Sequence, residues 1–223
     1  MRRIAMTLAG FTLGILVVMT VISLVSGASQ EPHEHFALPE EYGFSLLSHA
    51  GVLRAIFALD IAFLVLYTSF FTALAKYLGD RGRPFVRLAL GFMIATALLD
   101  IIEDHHILAM LDEAERNVLP STTEIAAQSV LSATKFSVSY LSLVLFGLAI
   151  PRDTKLGWAL SLFLTAGTLA SAVIGYALPP SAQSGFDSGR WVGFVAGFVL
   201  SIAWLRTQPD SDDIVVKGPG STR

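Results

Sequence analysis

Cysteine is absent from all 223 residues, which excludes disulfides, thiolate metal ligands and thiol nucleophiles in any compartment. Charge is almost as scarce. Asp, Glu, Lys and Arg make up 15% of the chain, against roughly 25% in soluble domains, while 53% of the residues are hydrophobic. No polar stretch is long enough for a soluble domain of useful size. Also missing are the Gly-Lys-Ser/Thr loop that cradles phosphates, the Gly-x-Ser-x-Gly nucleophile elbow, the HExxH zinc motif and any basic patch interleaved with aromatics. P-loop chemistry, serine hydrolysis at such an elbow and nucleic-acid partners are therefore set aside. None of the five histidines lies deep in an apolar run, so a membrane haem held by two histidines is set aside too.

What the chain has in quantity is apolar runs of about 20 residues, each able to cross a hydrocarbon core of roughly 30 Å. Six spans are expected, at about 4–25, 51–75, 86–110, 125–150, 156–178 and 191–205. The fold class is then an all-α polytopic bundle whose first partner is the lipid bilayer. Arg2 and Arg3 ahead of an apolar stretch suggest a signal peptide, but about 22 apolar residues exceed the 7 to 15 of a signal core, so a retained first helix is expected. The segment Ser29 to His49 reads as an acidic outer loop, with Pro32 and Pro39 preventing one continuous helix. The segment 207–223, rich in Pro, Gly, Ser and Asp, reads as a disordered cytoplasmic tail.

Six crossings put both termini on one side, and the basic residues say which. Arg2 and Arg3, then Lys76, Arg81, Arg83 and Arg87, then Arg152 and Lys155, and finally Arg206, Lys217 and Arg223 share a side: 11 of the 15 Lys and Arg. By the positive-inside rule both termini are cytoplasmic, in a cell membrane of bacterial inner-membrane type, and all five histidines lie on the outer side.

The chemistry concentrates at Leu98 to Ile107, LLDIIEDHHI, where an apolar run ends in acids and imidazoles. On a helix Asp100, Glu103 and Asp104 share a face, His106 follows one turn beyond Glu103, and His105 points away. Asp60 in the second span, Asp100 in the third and Lys135 in the fourth all fall on the order of 13 to 16 Å below the outer surface. Charges at that depth cost about 2.5 to 3.5 kcal/mol each unless they meet partners or water, so they are expected to form one intramembrane site, with Glu103 and Arg54 extending it outward. Gln128, Ser132, Lys135, Ser139 and Ser142 follow at spacings of 4, 3, 4 and 3, a polar stripe that should face the bundle interior. Asp60, Asp100, Glu103 and Asp104 outnumber Arg54 and Lys135, so at least one carboxylate should hold a proton or a cation.

A second constellation is metal-like. Glu103 and His106 form Glu-x-x-His, a spacing used in carboxylate-bridged bundles, and His33, His35 and His49 on the first outer loop complete a set suited to Zn, Fe or Mn. No second Glu-x-x-His occurs. Glycine supplies a third feature: Gly189, Gly193 and Gly197 in the sixth span and Gly10 with Gly14 in the first make small-residue faces suited to helix contact, with a second copy or with a partner membrane helix. Three functions follow from these constellations. The leading one is transport or proton and cation handling at an outward-facing polar site, with Lys135 tuning Asp60 and Asp100. The others are a metal-dependent membrane enzyme and a non-catalytic assembly subunit whose polar pairs serve packing alone.

Overall fold

The computed structural model describes residues 1–79, 83–178 and 183–209. All regular elements among them are helical: α1 (Arg2–Ser26), a 3₁₀ turn (Glu31–Glu34), α2 (Pro39–Ser48), α3 (Ala50–Leu78), α4 (Arg83–Glu115), α5 (Thr122–Ala149), α6 (Lys155–Leu162), a π turn (Phe163–Gly167), α7 (Thr168–Ala177) and α8 (Gln183–Thr207). Five helices are long and apolar enough to cross a membrane: α1, α3, α4, α5 and the continuous helix Lys155–Ala177 made by α6, the π turn and α7. The expected span at 191–205 lies inside α8, which has 25 residues and is not among those five. Of the expected cytoplasmic basic residues, Arg81, Lys217 and Arg223 lie outside the described residues, as does 210–223 of the tail. The start of that tail is structured, because α8 runs to Thr207 and Gln208 is buried beyond it.

Local chemistry sets the helix ends. α1 stops at Gly27, whose φ of 71° is left-handed and whose N–H closes on the Ser23 carbonyl. Pro39 breaks the outer loop as expected and then opens α2, where a ring that lacks an N–H is tolerated, with Glu40 and Glu41 on the positive end of the helix. α5 begins in a capping box: the Ser121 side chain accepts from the Glu124 N–H and the Glu124 carboxylate accepts from the Ser121 N–H.

Two apolar clusters form the interior. One joins Leu64, Phe70 and Leu74 of α3 to Met93 of α4, Phe146 of α5 and Trp204 of α8; the other joins Tyr42 and Leu46 of α2 to Phe57 of α3, Met110 of α4 and Ile125 of α5. Serine hydroxyls tie the helices across the first cluster, Ser142 donating to the Ala89 carbonyl and Ser161 to that of Gly147, each at 2.7 Å. Gly147 permits that approach, since a Cβ there would stand 2.9 Å from Leu164 Cβ. The Gly10 and Gly14 face of α1 is turned outward and open, with nothing within 4 Å of a Cβ at either position.

Candidate functional site

Between the two apolar clusters lies a layer of buried polar groups. On α3 it is Asp60, between Phe57 and Leu64; on α4 it is Asp100, Glu103 and Asp104, between Ala97 and Ile107; on α5 it is Gln128, Ser132 and Lys135, above Leu145. The 3.6-residue repeat creates the layer, because the positions that point inward above and below it are apolar and the inward positions at this level are not. All seven are at most 8% exposed.

Lys135 is the hub. Its ammonium stands 2.9 Å from Asp100 Oδ1 and 3.8 Å from Glu34 Oε1, and it also pairs with Glu103. Glu103 Oε1 accepts from the Ser132 hydroxyl and, at 3.1 Å, from the Gln128 amide, whose own carbonyl oxygen lies 2.8 Å from His106 Nδ1. That carbonyl can only accept, so the His106 proton sits on Nδ1 and the chain runs unbroken from His106 through Gln128 and Glu103 to Lys135 and Asp100. Asp60, Asp100 and Asp104 form a tighter knot, with one oxygen from each within 4.8 Å of the others; the Asp60 and Asp104 carboxyls face each other at hydrogen-bonding range, and neither Oδ2 receives a donor from any other described residue.

The 3₁₀ turn folds over this layer. Glu34, 4% exposed, takes an ion pair of 2.7 Å from Arg190 of α8, and Glu31 accepts from the Trp191 indole N–H. Two cations approach the Phe136 ring, with Arg190 Cζ 3.7 Å and Lys135 Nζ 4.7 Å from its centroid. A cavity of about 300 Å³ runs from Glu31 and Glu34 past Asp60, Asp100 and Lys135 down to Leu74 and Met93. A second, of about 220 Å³, lies between α5 and α7 and shares Glu34, Phe136, Tyr140 and Arg190 with the first.

No family model, curated protein or solved structure matches this chain.

The fold brings Asp60, Asp100, Glu103, Lys135 and Gln128 into one layer, but not Arg54. Arg54 lies on the surface, its side chain 41% exposed and bonded to Asp112 at 2.6 Å and Glu115 at 2.9 Å. The histidines are spread out. His33 is buried, with Nε2 3.2 Å from the Ser45 hydroxyl and its carbonyl accepting from Tyr42; burial holds the imidazole down to about 4. His35 and His49 are half-buried, while His105 is exposed with Nδ1 2.8 Å from the Ile101 carbonyl oxygen. Of the expected metal set, Glu103 is bonded to Lys135, Ser132 and Gln128, and His106 to Gln128. Among the described residues, the ligand-type side chains that converge within 4.8 Å are Asp60, Asp100 and Asp104, all carboxylates. Hard oxygen donors of this kind suit alkali, alkaline-earth or manganese ions better than zinc.

Glu34, Asp104, Tyr67 and Arg190 belong to the site beside the residues expected there. Asp104 shares the Asp100 face, and its spacing signalled it. Glu34 and Arg190 arrive through a loop and a remote helix, which no periodicity places.

Proposed function

We propose that this is a six-span, ion-handling membrane protein in which a proton and a small inorganic cation compete for Asp60, Asp100 and Asp104. The observation that carries the reading is the knot itself: three buried carboxylates within 4.8 Å, two of their oxygens receiving no donor from described residues outside it, beside a single lysine already shared with Glu103 and Glu34. Two like charges about 4 Å apart repel by about 4 kcal/mol even at an effective dielectric of 20, so a fully ionised knot demands a positive guest. Lys135 supplies a fixed counter-charge, and Glu34 with Arg190 stands between the knot and the second cavity as the entry from the outer side.

The sixth crossing is α8. Arg2 at the start of α1 donates to the Gln208 carbonyl at the end of α8, and this meeting of the start of the first helix with the end of α8 supports an even number of crossings. The basic-residue count then favours cytoplasmic termini and an outward-opening site.

Titration of Na⁺, K⁺, Mg²⁺, Ca²⁺ and Mn²⁺ onto the protein in lipid nanodiscs at fixed pH tests the proposal, following the unfolding midpoint and, in weak buffer, proton release. One of these cations is expected to raise the midpoint, by the linkage that gives about 2.7 kcal/mol at a hundredfold excess over Kd, and to expel protons. Both responses should vanish in Asp60→Asn and Asp104→Asn. Indifference of the wild type to every cation would refute the proposal and leave the layer a packing device.

A further inference from the structure

The cavity continues well beyond the acids, and its lower part is of another chemistry. On α3, Asp60, Phe63, Tyr67, Phe70 and Leu74 follow at spacings of 3, 4, 3 and 4, so one helical stripe carries a carboxylate at the top and aromatic or aliphatic groups below it. Phe198 of α8 meets this stripe edge-on, its ring centroid 6.5 Å from Phe63 and 5.4 Å from Phe70. Two polar atoms in this wall receive no hydrogen-bond donor from the described residues outside the acidic knot: Asp60 Oδ2, on a residue 2% exposed, and the Tyr67 hydroxyl, on a residue 6% exposed. Tyr67 lies two turns below Asp60 on the same face, and long helical side chains lean back toward the N-terminal turn, here toward Asp60. A buried polar group without a partner costs about 1 to 3 kcal/mol, so both call for a guest that donates hydrogen bonds.

The glycine stripe of α8 makes the room. Gly193, Gly197 and Ser201 face the cavity; a Cβ at Gly193 would meet nothing within 4 Å, and one at Gly197 only the Phe163 ring at 3.4 Å. In this fold the small residues widen a space instead of seating a neighbouring helix. Among the charged residues lining the space, Glu31, Glu34, Asp60 and Asp100 outnumber Lys135 and Arg190, which disfavours an anionic guest.

We propose that this cavity binds an amphipathic organic amine, its protonated nitrogen between Asp60 and Tyr67 and its apolar body among the aromatic rings. An ammonium brings the positive charge and the hydrogen-bond donors that these two atoms lack, and the rings add cation–π and apolar contact. At about 300 Å³ the space lies at the small end of ligand pockets, which fits a fused-ring amine rather than a two-chain lipid. The inference rests on the acidic knot being a cation site, and it adds the organic class of cation that site admits.

The test uses 9-aminoacridine, cationic at neutral pH, against acridine, its neutral analogue, in equilibrium dialysis of the protein in nanodiscs with empty nanodiscs subtracted. Wild type is expected to retain the amine at least tenfold better than acridine. Gly193→Leu, which fills the cavity from a position with free space, should reduce retention at least tenfold while keeping the inorganic-cation response. Tyr67→Phe, which keeps the ring and removes one oxygen, should weaken retention severalfold. Equal retention of amine and acridine, or unchanged retention in both variants, overturns the inference even if inorganic cations bind. Selective amine retention that both variants weaken, with no inorganic-cation response, overturns the ion reading alone.

Discussion

Replacing Lys135 by Met removes the one cation that Asp100, Glu103 and Glu34 share, at a site where Lys135 is 4% exposed. Arg190 still neutralises Glu34, and Ser132 and Gln128 still bond Glu103, so the charges left stranded are chiefly those of Asp100 and Glu103. Breaking a buried pair from one side costs about 3 to 5 kcal/mol, and the remaining hydrogen bonds place this variant toward the lower end. Adding Asp100→Asn or Glu103→Gln to Lys135→Met removes one of the stranded charges, so each double variant should recover part of the loss, with a coupling of about 1 to 3 kcal/mol. Asp60 makes no ion pair with Lys135, and its coupling should be the smallest of the three. The measurement is reversible unfolding of singles and doubles in mixed micelles, with circular dichroism to confirm that each starts helical. Additivity for both Asp100 and Glu103 would show that the lysine does not hold these carboxylates, and the description of the layer as one network would fall with it.

Two further outcomes are expected. His33 gives a pH dependence: unfolded, it takes a proton below about 6.5, but folded only below about 4, so the unfolded state binds more protons between these values and stability falls as the pH drops through them. At about 1.4 kcal/mol per pH unit the loss is on the order of 3 kcal/mol, and His33→Gln should flatten that part of the stability curve; an unchanged curve would mean the imidazole is not buried in its neutral form. Reporter fusions after Arg83 and Arg152 should read as cytoplasmic and one near Gln183 as external, and a single reversed result would place the acidic site on the opposite face.

The membrane class, the helices and the inward polar stripe of α5 were legible because each rests on a repeating interval along one helix. Gln128, Ser132, Lys135, Ser139 and Ser142 are all buried on that stripe. What intervals cannot give is how helices from distant parts of the chain meet. Arg54 has the right charge to extend the Asp60 group outward, yet its turn of α3 faces Asp112 and Glu115 at the surface. Glu34, in a loop with two prolines, closes the site from above, because α2 packs its Tyr42 onto the Glu103 side of the bundle and carries the preceding turn with it. The glycines of α8 show the same limit from the other direction: their spacing is that of a helix-contact face, and only the neighbours decide whether the face is closed or left as space.

The depth of the acidic layer has an electrical consequence. Counted along their spans, Asp60, Asp100 and Lys135 stand on the order of 13 to 16 Å from the outer ends, about half of a hydrocarbon core of roughly 30 Å, so under the proposed function a monovalent ion reaching them from one bathing solution would cross roughly half of the transmembrane voltage. At about 2.3 kcal/mol per charge per 100 mV for the full drop, occupancy of the layer changes by about 1 kcal/mol, or about sevenfold, for each 100 mV. A doubly charged ion would feel twice that energy, so the membrane potential itself selects between guests of different valence, independently of how well each fits the carboxylates.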